Sequence, residues 1–322
     1  MSAPAQVRRH QEERARLAMA TARAAGKLWR QLDRDNMRAS WQQLLPQLLL
    51  IVTGAQSAAA ASTDPYLRRL LGDDPGRAES DQLVPEALAG VAPDGRPLGG
   101  LLMYPLWATL GALARGASVA FAWASGAAVL DLLVRTVIAD TGRAADLIGM
   151  LVRPAVTSYV RVVELPACAR CIVLASREYT LSAGFQRHPR CDCTMAPVTR
   201  SFTPTVISAK QVFRQMTDAQ RHKAFGAAAV KAIGDGADIE QVVNARRGMT
   251  TATHYRRTVQ ATTEGITRRG IAGRRSQQFE RIAGNRYATA RSPRLMPEEI
   301  YRLADGDREH AIRLLRRHAY IV

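Results

Sequence analysis

The chain has few cysteines, and it has none outside one short stretch. All four lie between residues 168 and 193 of a 322-residue sequence. A chain of this length buries a sizeable core, so its fold does not require disulfide cross-links. The N-terminal sequence, MSAPAQVRRHQEERARLAMATARAAG, is charged throughout and lacks the apolar core of a secretory signal. We therefore expect a protein that is made and kept in a cytoplasm, where thiols stay reduced.

Aromatic residues and long apolar runs are also scarce. Aromatic side chains make up 6% of the sequence while alanine is abundant, which favours close-packed helices. Two apolar runs resemble membrane segments, Leu101 to Ala114 and Ala117 to Leu130. Each has about 14 residues, whereas a helix that crosses a bilayer needs roughly 20. We expect both runs to form buried helices and predict no membrane span.

Acidic residues are outnumbered by basic ones. Aspartate and glutamate total 28 against 45 lysines and arginines, which gives a net charge of +17. Most of the cations are arginine, whose guanidinium pairs well with phosphate and carboxylate groups. From Thr194 to Val322, 23 basic residues stand against 11 acidic ones, so most of the excess lies in this part. We expect a polyanionic partner, either nucleic acid or an acidic protein surface.

The hydrophobic pattern predicts a mainly α fold of the α+β class in three segments. Residues 1–152 form a helical N-terminal domain, which begins with two helices packed as a hairpin. Residues 153–200 form a small zinc-knuckle-like cysteine module with short β elements, because valines 156, 160, 162 and 163 favour a strand before Pro166. Residues 201–322 form a basic helical region with a partly extended and mobile arm around 248–292.

Helix start signals are clear in this C-terminal region. Thr217 and Gln220 form a capping-box pattern, and the helix that they open is expected to end at the glycines 234 and 236. A second helix is expected to begin at Asp238. Pro297 suits the first turn of a third helix, and Asp307 suits the cap of a last one.

The cysteine spacing is C-x2-C, sixteen residues, then H-x2-C-x-C. Two close thiol pairs separated by a loop are typical of a structural zinc site, because each pair supplies two corners of a tetrahedron. Five side chains compete for the four corners. The candidate ligands are Cys168, Cys171, His188, Cys191 and Cys193.

Other interpretations of the cysteines stay open. They are a disulfide framework, a redox-active C-x2-C, a knuckle of buried thiols without metal, and a catalytic zinc site. A catalytic zinc needs an open coordination position and a nearby acid or base. The residues in the module that could act as this acid or base are Glu178, Asp192 and His188. We expect Glu178 to lie on a surface turn, and Asp192 to be solvated or to accept a hydrogen bond from a metal ligand. A structural metal site is therefore the favoured interpretation.

The stretch CARCIVLASREYTLSAGFQRHPRCDC, followed by Pro197, resembles the signature of MuF-like phage minor head proteins. The flanking sequences VVNARRGM, TTEGITRRGIAGRR and LMPEEIYRLADGDREHAIRLLRRHAYI are similar to versions from tailed phages of actinobacteria. The resemblance implies a minor capsid protein that associates with the portal and the major capsid protein. It implies location in the capsid interior of the virion after assembly in the host cytoplasm. No toxin or protease domain follows the module, so the implied role is structural and not enzymatic.

Paired arginines follow the module and suggest a contact with double-stranded DNA. Arginines laid along a phosphate backbone release counterions without regard to base sequence. The alternative is a solvated basic surface, or one that pairs with an acidic portal surface. The arginines are Arg246, Arg247, Arg256, Arg257, Arg268, Arg269, Arg274 and Arg275.

Two other classes of function compete with a structural virion protein. One is a zinc-containing DNA-binding protein or nuclease, and the other is a head-maturation protease. The six histidines are scattered, and neither a G-x-S-x-G nor an H-E-x-x-H motif accompanies them. Without these motifs the sequence gives no support to an enzyme. A catalytic triad is not tested by this, because its members meet only in the folded chain.

Overall fold

A computed structural model describes residues 5–72, 82–185, 187–191, 193–254, 257–281, 283–284 and 286–322. The predicted class is confirmed, since the described chain is mainly helical with small antiparallel sheets. Two compact units are present. The first comprises Met1–Glu164 with Ser176–Ile207, and the second comprises Leu165–Ala175 with Ser208–Val322. The sequence analysis divided the chain differently, into the three segments 1–152, 153–200 and 201–322, and that division stays a prediction.

Five helices of the first unit share an apolar core, to which α1, α2, α4, α5 and α6 contribute buried side chains. Helices α1 and α2 contact each other, as predicted, and both pack against α6. Trp29 and Trp41 meet edge to face in this core, with ring centroids 5.2 Å apart. A short 3-10 turn covers Pro85–Leu88. The helices are α1 (Ala5–Trp29), α2 (Met37–Ala61), α3 (Thr63–Leu71), α4 (Leu98–Leu101), α5 (Tyr104–Ala114) and α6 (Val119–Leu151).

Helix α6 is longer than the sequence suggested. The second apolar run was expected to end at Leu130, but the helix continues through Asp131 to Leu151 and has 33 residues. The stretches Met37–Leu71 and Val119–Leu151 are each long and apolar enough to cross a membrane. Core helices pass the same test, and α6 packs against α1, α2 and α5. The length argument was therefore wrong for this run, and the absence of a membrane span stays a prediction.

The first unit also carries a small antiparallel sheet in the order β2-β1-β3. The strands are β1 (Val156–Val162), β2 (Glu178–Thr180) and β3 (Thr194–Thr199). Strand β1 confirms the β-segment predicted from the valines, and it is buried at nearly every position. Its Tyr159 pairs with Tyr179 on one side and with Pro197 on the other. Because β3 starts directly after Cys193, the sheet fixes one end of the cysteine loop.

Local helix signals are largely confirmed in the second unit. The Thr217 capping box is present with both of its hydrogen bonds. The helix that it opens ends earlier than expected, because Gly226 has φ +83° and separates two helices. Asp238 and Asp307 cap the helices predicted to follow them. The helices are α7 (Ala169–Val173), α8 (Ala209–Gln215), α9 (Asp218–Phe225), α10 (Ala227–Gly234), α11 (Ile239–Ala245), α12 (Pro297–Ala304) and α13 (Arg308–Arg317).

The arm predicted to be partly extended contains paired strands. A three-stranded sheet has the order β4-β5-β8, and a second sheet joins β6 and β7. Val259 and Ala261 of β5 are buried two residues apart, as in a strand with one buried face. The extended character is confirmed, and the mobility of the arm stays a prediction. The strands are β4 (Met249–His254), β5 (Arg257–Thr262), β6 (Phe279–Glu280), β7 (Thr289–Ala290) and β8 (Arg294–Leu295).

Candidate metal centre

The C-x2-C pair lies on one short helical turn. Cys168 is the N-cap of α7, and its Sγ accepts a hydrogen bond from the backbone N–H of Cys171 at 3.4 Å. Cys168 is half-buried and Cys171 is buried. A hydrogen bond donated to sulfur favours the thiolate, which is the form that binds metals. The local fold therefore presents two thiols whose spacing and environment suit metal coordination.

The H-x2-C-x-C part forms a tight turn before β3. The backbone N–H of Cys191 donates to the carbonyl oxygen of His188 at 3.1 Å, and Arg190 between them has φ +61°. The Nδ1 atom of His188 lies 2.7 Å from the carbonyl oxygen of Pro189. A carbonyl only accepts, so Nδ1 is the donor, and in the neutral ring Nε2 then has the lone pair that a metal requires. The turn thus selects which ring nitrogen can act as a ligand.

All five predicted ligands are brought together in two overlapping groups. The ligand atoms of Cys168, Cys171 and His188 lie within 4.8 Å of one another, and so do the three Sγ atoms of Cys171, Cys191 and Cys193. Cys171 belongs to both groups. The structure holds the four cysteines as thiols, without disulfides. A cluster of thiols with one imidazole is the donor set of soft and borderline metal ions, so this cluster can bind a metal ion.

A buried arginine of α6 holds the turn in place. The NH1 group of Arg143 donates to the carbonyl oxygens of Cys191 at 2.8 Å and Cys193 at 3.1 Å. Its NH2 group pairs with the buried carboxylate of Asp140. The second oxygen of Asp140 lies 2.6 Å from Nε of Arg187 in the same turn. Arg143 and Asp140 therefore orient the backbone that carries two of the candidate ligands.

A second attachment joins the turn to an earlier part of α6. The NH2 group of Arg190 lies 2.7 Å from Oδ2 of Asp131, and its backbone N–H donates to Oγ1 of Thr136 at 3.3 Å. These contacts were not predictable from the sequence because they join residues more than 50 positions apart. The sequence feature that could have indicated them is a series of charged residues in an otherwise apolar helix, since buried charges need partners. These residues are Asp131, Arg135, Asp140, Arg143 and Asp146.

The first unit contains a buried polar network that sequence analysis also missed. The Asp146 carboxylate is fully buried and pairs with the Arg14 guanidinium. It also accepts hydrogen bonds from Thr63 Oγ1 at 3.0 Å and from His10 Nε2 at 3.2 Å. Arg14 NH2 donates to Thr63 Oγ1 at 2.9 Å. These contacts fasten α1, α3 and α6 to one another.

The network keeps Asp146 charged and His10 neutral. Burial alone would raise the pKa of Asp146, but the charge of Arg14 and the hydrogen bonds from His10 and Arg14 outweigh it and hold this pKa at about 2. Burial lowers the pKa of His10 below its ordinary value of 6.5, and the attraction of Asp146 offsets only part of the effect. The Nδ1 atom of His10 is buried and has no hydrogen-bond partner among the described residues. A proton at that atom would therefore be poorly accommodated.

Aromatic stacking links this network to the strand that follows the cysteines. The His10 ring lies flat on the ring of Tyr66, with centroids 3.8 Å apart. The Tyr66 hydroxyl donates to the carbonyl oxygen of Met195 at 3.0 Å. Burial raises the pKa of Tyr66 well above its ordinary value, so this hydroxyl remains a donor. Met195 is two residues beyond Cys193, so the network supports the position where the cysteine loop enters β3.

The residues considered for acid–base catalysis give no support to an active site. Glu178 is exposed, as predicted, but it lies on β2 and not on a turn. Its carboxylate accepts a hydrogen bond from the Ser158 hydroxyl across the strand pair. Asp192 lies outside the described residues. The remaining candidate, His188, belongs to the possible ligand set.

Two of the paired arginines have structural roles. Arg246 donates to the carbonyl oxygen of Phe225 at 3.1 Å and pairs with Glu298 at 2.6 Å. Arg275 donates to the backbone carbonyls of Arg316 and Ile321 near the end of α13. Their guanidinium groups are thus engaged within the second unit.

The other described members of the arginine pairs are exposed. Arg247 lies 3.9 Å from a Glu264 oxygen, and the Arg268 guanidinium lies 5.1 Å from the centroid of the Phe279 ring. Both contacts leave the cationic groups exposed. Arg257, Arg269 and Arg274 are exposed as well, and Arg256 lies outside the described residues. Contact of these residues with DNA stays a prediction.

Comparisons with protein-family models, with curated proteins and with solved structures found no match to this chain. The functional interpretation therefore depends on the cysteine cluster, its supports and the charge of the chain.

Proposed function

We propose that the cysteine cluster holds one Zn²⁺ ion as a structural element. The burial of the thiols carries this proposal: Cys171, Cys191 and Cys193 are 4%, 2% and 5% exposed. Structural zinc sites are closed and four-coordinate, whereas catalytic sites keep one position open to substrate. Thiolate ligands with imidazole favour zinc over magnesium or calcium, which prefer oxygen.

The chain's own residues supply what such an ion needs. Cys171 belongs to both ligand groups, so its Sγ lies within 4.8 Å of the ligand atoms of the other four candidates. The Nδ1 hydrogen bond of His188 leaves Nε2 as the ligand atom of that ring. Arg143 and Asp140 position the carbonyls next to the last two thiols. When bound, the zinc supplies cross-linking of the loop, and its binding free energy adds to folding.

Metal analysis of freshly purified protein tests the zinc site. We expect about one equivalent of zinc, and less than about half an equivalent would contradict the proposal. Cys171→Ser should lose the zinc because it removes the shared ligand. Ser182→Ala is a matched control, since Ser182 is exposed and hydrogen-bonds Thr180 outside the cluster.

We further propose that the chain is a structural minor component of a phage head that associates with the portal and the major capsid protein. The C-x2-C, H-P-x-C-x-C signature supports this proposal, and so does the charge of +17. A strongly basic protein suits a compartment that holds DNA, or an acidic portal surface. The role of the zinc module is then to stabilise a fold and not to catalyse a reaction.

Mass spectrometry of purified particles, combined with chemical crosslinking, tests this assignment. We expect the chain in mature particles, with crosslinks from its lysines to the portal. A chain that stays with unassembled protein while particles form normally would contradict the assignment. The zinc measurement is made on isolated protein, so the two proposals can fail separately.

A further inference from the structure

Helix α5 of the first unit has an exposed face made of apolar and aromatic side chains. The apolar run that contains it was expected to be buried, but only one side of the helix lies in the core. On the other side Tyr104 and Trp107 are 43% and 50% exposed. Arg115, directly after the helix, is the single charged residue between positions 97 and 130. An exposed patch of this kind, with a tryptophan and a tyrosine and without charges, is typical of an interaction surface.

The two aromatic rings are held in place before any partner binds. Their centroids lie 4.9 Å apart. The Arg96 guanidinium lies 5.7 Å from the centroid of the Tyr104 ring and donates to the Tyr104 hydroxyl at 3.2 Å. Asp94 pairs with Arg96 and so holds this guanidinium. Because rings that are already fixed lose little conformational entropy on binding, the face is preorganised for association.

The order of large and small side chains makes the face complementary to itself. When two antiparallel helices are related by a twofold axis, residues equally far from the axis on its two sides lie opposite each other. With the axis at Thr109, each large side chain of the exposed face lies opposite a small one of the second copy. The pairs are Tyr104 with Ala114, Trp107 with Gly111, and Leu110 with Ala108. Packed helices interlock through such large and small positions.

Gly111 is not required by the packing within the chain. Among the described residues, a Cβ at this position would meet only the Arg115 side chain, at 3.4 Å. Glycine inside a helix is less stable than alanine, because it loses more conformational freedom on folding. A second copy of α5 uses the space above Gly111, since the large Trp107 ring fits where a side chain is absent.

We propose that the exposed face of α5 is the contact surface of a symmetric dimer of this chain. The two α5 helices lie antiparallel, and each Trp107 covers Gly111 of the other copy. Helix α5 has 11 residues and is about 16 Å long, so its face is smaller than the roughly 800 Å² that each partner buries in a standard interface. The dimer is therefore weak, and its population rises with protein concentration. The proposal does not rest on the metal or on the role in a phage head.

Sedimentation equilibrium of the full chain at about 1–100 µM tests for the dimer. We expect the apparent mass to rise from that of one chain toward that of two across this range. A chain that stays monomeric at about 100 µM would overturn the proposal. If that monomer cosediments with phosphatidylglycerol vesicles, the face binds a lipid surface and not a second copy.

A compensating pair of substitutions tests how the two helices meet. Trp107→Ala removes the large side chain, and Gly111→Trp places a second large side chain opposite the first, so each should weaken the dimer at least about tenfold. The double variant again has one large and one small side chain at each contact, and it should recover most of the lost affinity. Leu151→Ala is the control, because it removes a 54% exposed apolar side chain at the far end of α6. A double variant that dimerises no better than the single variants would overturn the antiparallel pairing.

Discussion

Arg143 donates a hydrogen bond to the carbonyl oxygen of Cys191, a residue 48 positions further along the chain, at 2.8 Å. A guanidinium that binds the backbone carbonyls of two candidate ligands holds the backbone from which both thiols extend. Supports of this kind around a metal commonly change its affinity by about 10–100-fold when they are removed.

Arg143→Met should therefore weaken metal retention. The variant keeps much of the side-chain length and leaves Arg187 as a partner of the buried Asp140, so we expect a loss of about 1–3 kcal/mol of unfolding free energy. We expect zinc to transfer to a chelator at least about ten times faster than from the unmodified protein. Arg16→Met is the control, because Arg16 forms an exposed ion pair with Glu12. Equal release from both variants would contradict a supporting role for Arg143.

The two ligand groups predict unequal effects of single ligand substitutions. Cys171→Ser removes the atom that both groups share, while His188→Gln and Cys168→Ser each leave the group of Cys171, Cys191 and Cys193 intact. We expect zinc content to fall most in Cys171→Ser, measured by metal analysis after dialysis against a weak chelator. If Cys168→Ser or His188→Gln loses more zinc than Cys171→Ser, the inference that Cys171 is the ligand shared by both groups is wrong.

The buried network predicts that stability falls in acid. The pKa of His10 is lowered in the folded chain, so unfolded chains bind a proton more readily below pH 6.5 and stability is lost as pH falls. Asp146 adds to the loss as pH falls from 3.8 toward its folded pKa of about 2. His10→Gln keeps a donor for Asp146 and removes the titration. We expect urea unfolding from about pH 7.5 to about pH 5.5 to show a smaller loss for His10→Gln, by up to about 1.4 kcal/mol per pH unit.

Equal losses for the two proteins would show that His10 is not the titrating group. Zinc release in acid affects both proteins alike, so the difference between them isolates the imidazole.

The exposed arginines predict a specific effect on salt dependence. Replacing Arg257, Arg269 and Arg274 by glutamine should reduce the slope of log affinity against log salt for double-stranded DNA by about one for each phosphate that is no longer bound. Arg275→Gln is expected to lower the Tm instead, because its guanidinium binds carbonyls near the end of α13. An unchanged slope in the triple variant would exclude these three arginines from binding DNA.

Two helical glycines predict opposite stability changes. A Cβ at Gly126 would lie 2.0 Å from Thr109 Oγ1 and 2.5 Å from the Trp29 ring, so Gly126→Ala should cost about 1–3 kcal/mol. A Cβ at Gly54 would meet no atom within 4 Å, so Gly54→Ala should stabilise by up to about 1 kcal/mol. Denaturant midpoints of both variants check the signs. A stable Gly126→Ala would show that α5 and α1 approach α6 less closely.

Local features of the fold were predictable because their causes lie within a few residues. The caps at Thr217, Asp238 and Asp307 each depend on a side chain that binds a backbone N–H three residues on. The cysteine module is likewise local, since its spacing alone indicates a metal site.

The supports of that module were not predictable, because they depend on contacts across long stretches of chain. Asp131 looked like the end of an apolar run, yet it pairs with Arg190 in the cysteine turn and with Arg135 on its own helix. The same holds for Asp146, whose partners His10 and Arg14 lie on a different helix. The structural role of a charged residue in an apolar helix can be assigned only when its ion-pair partner is known.

Helix α6 also separates its exposed N-terminal turn from the arginine that binds the cysteine turn. With 33 residues at 1.5 Å each, it is about 50 Å long. Phe121 in its first turn is 65% exposed, and Arg143 follows 22 residues later, about 33 Å along the axis. The helix continues without interruption between them. Its length therefore sets the span between the exposed Phe121 and the arginine that binds the cysteine turn.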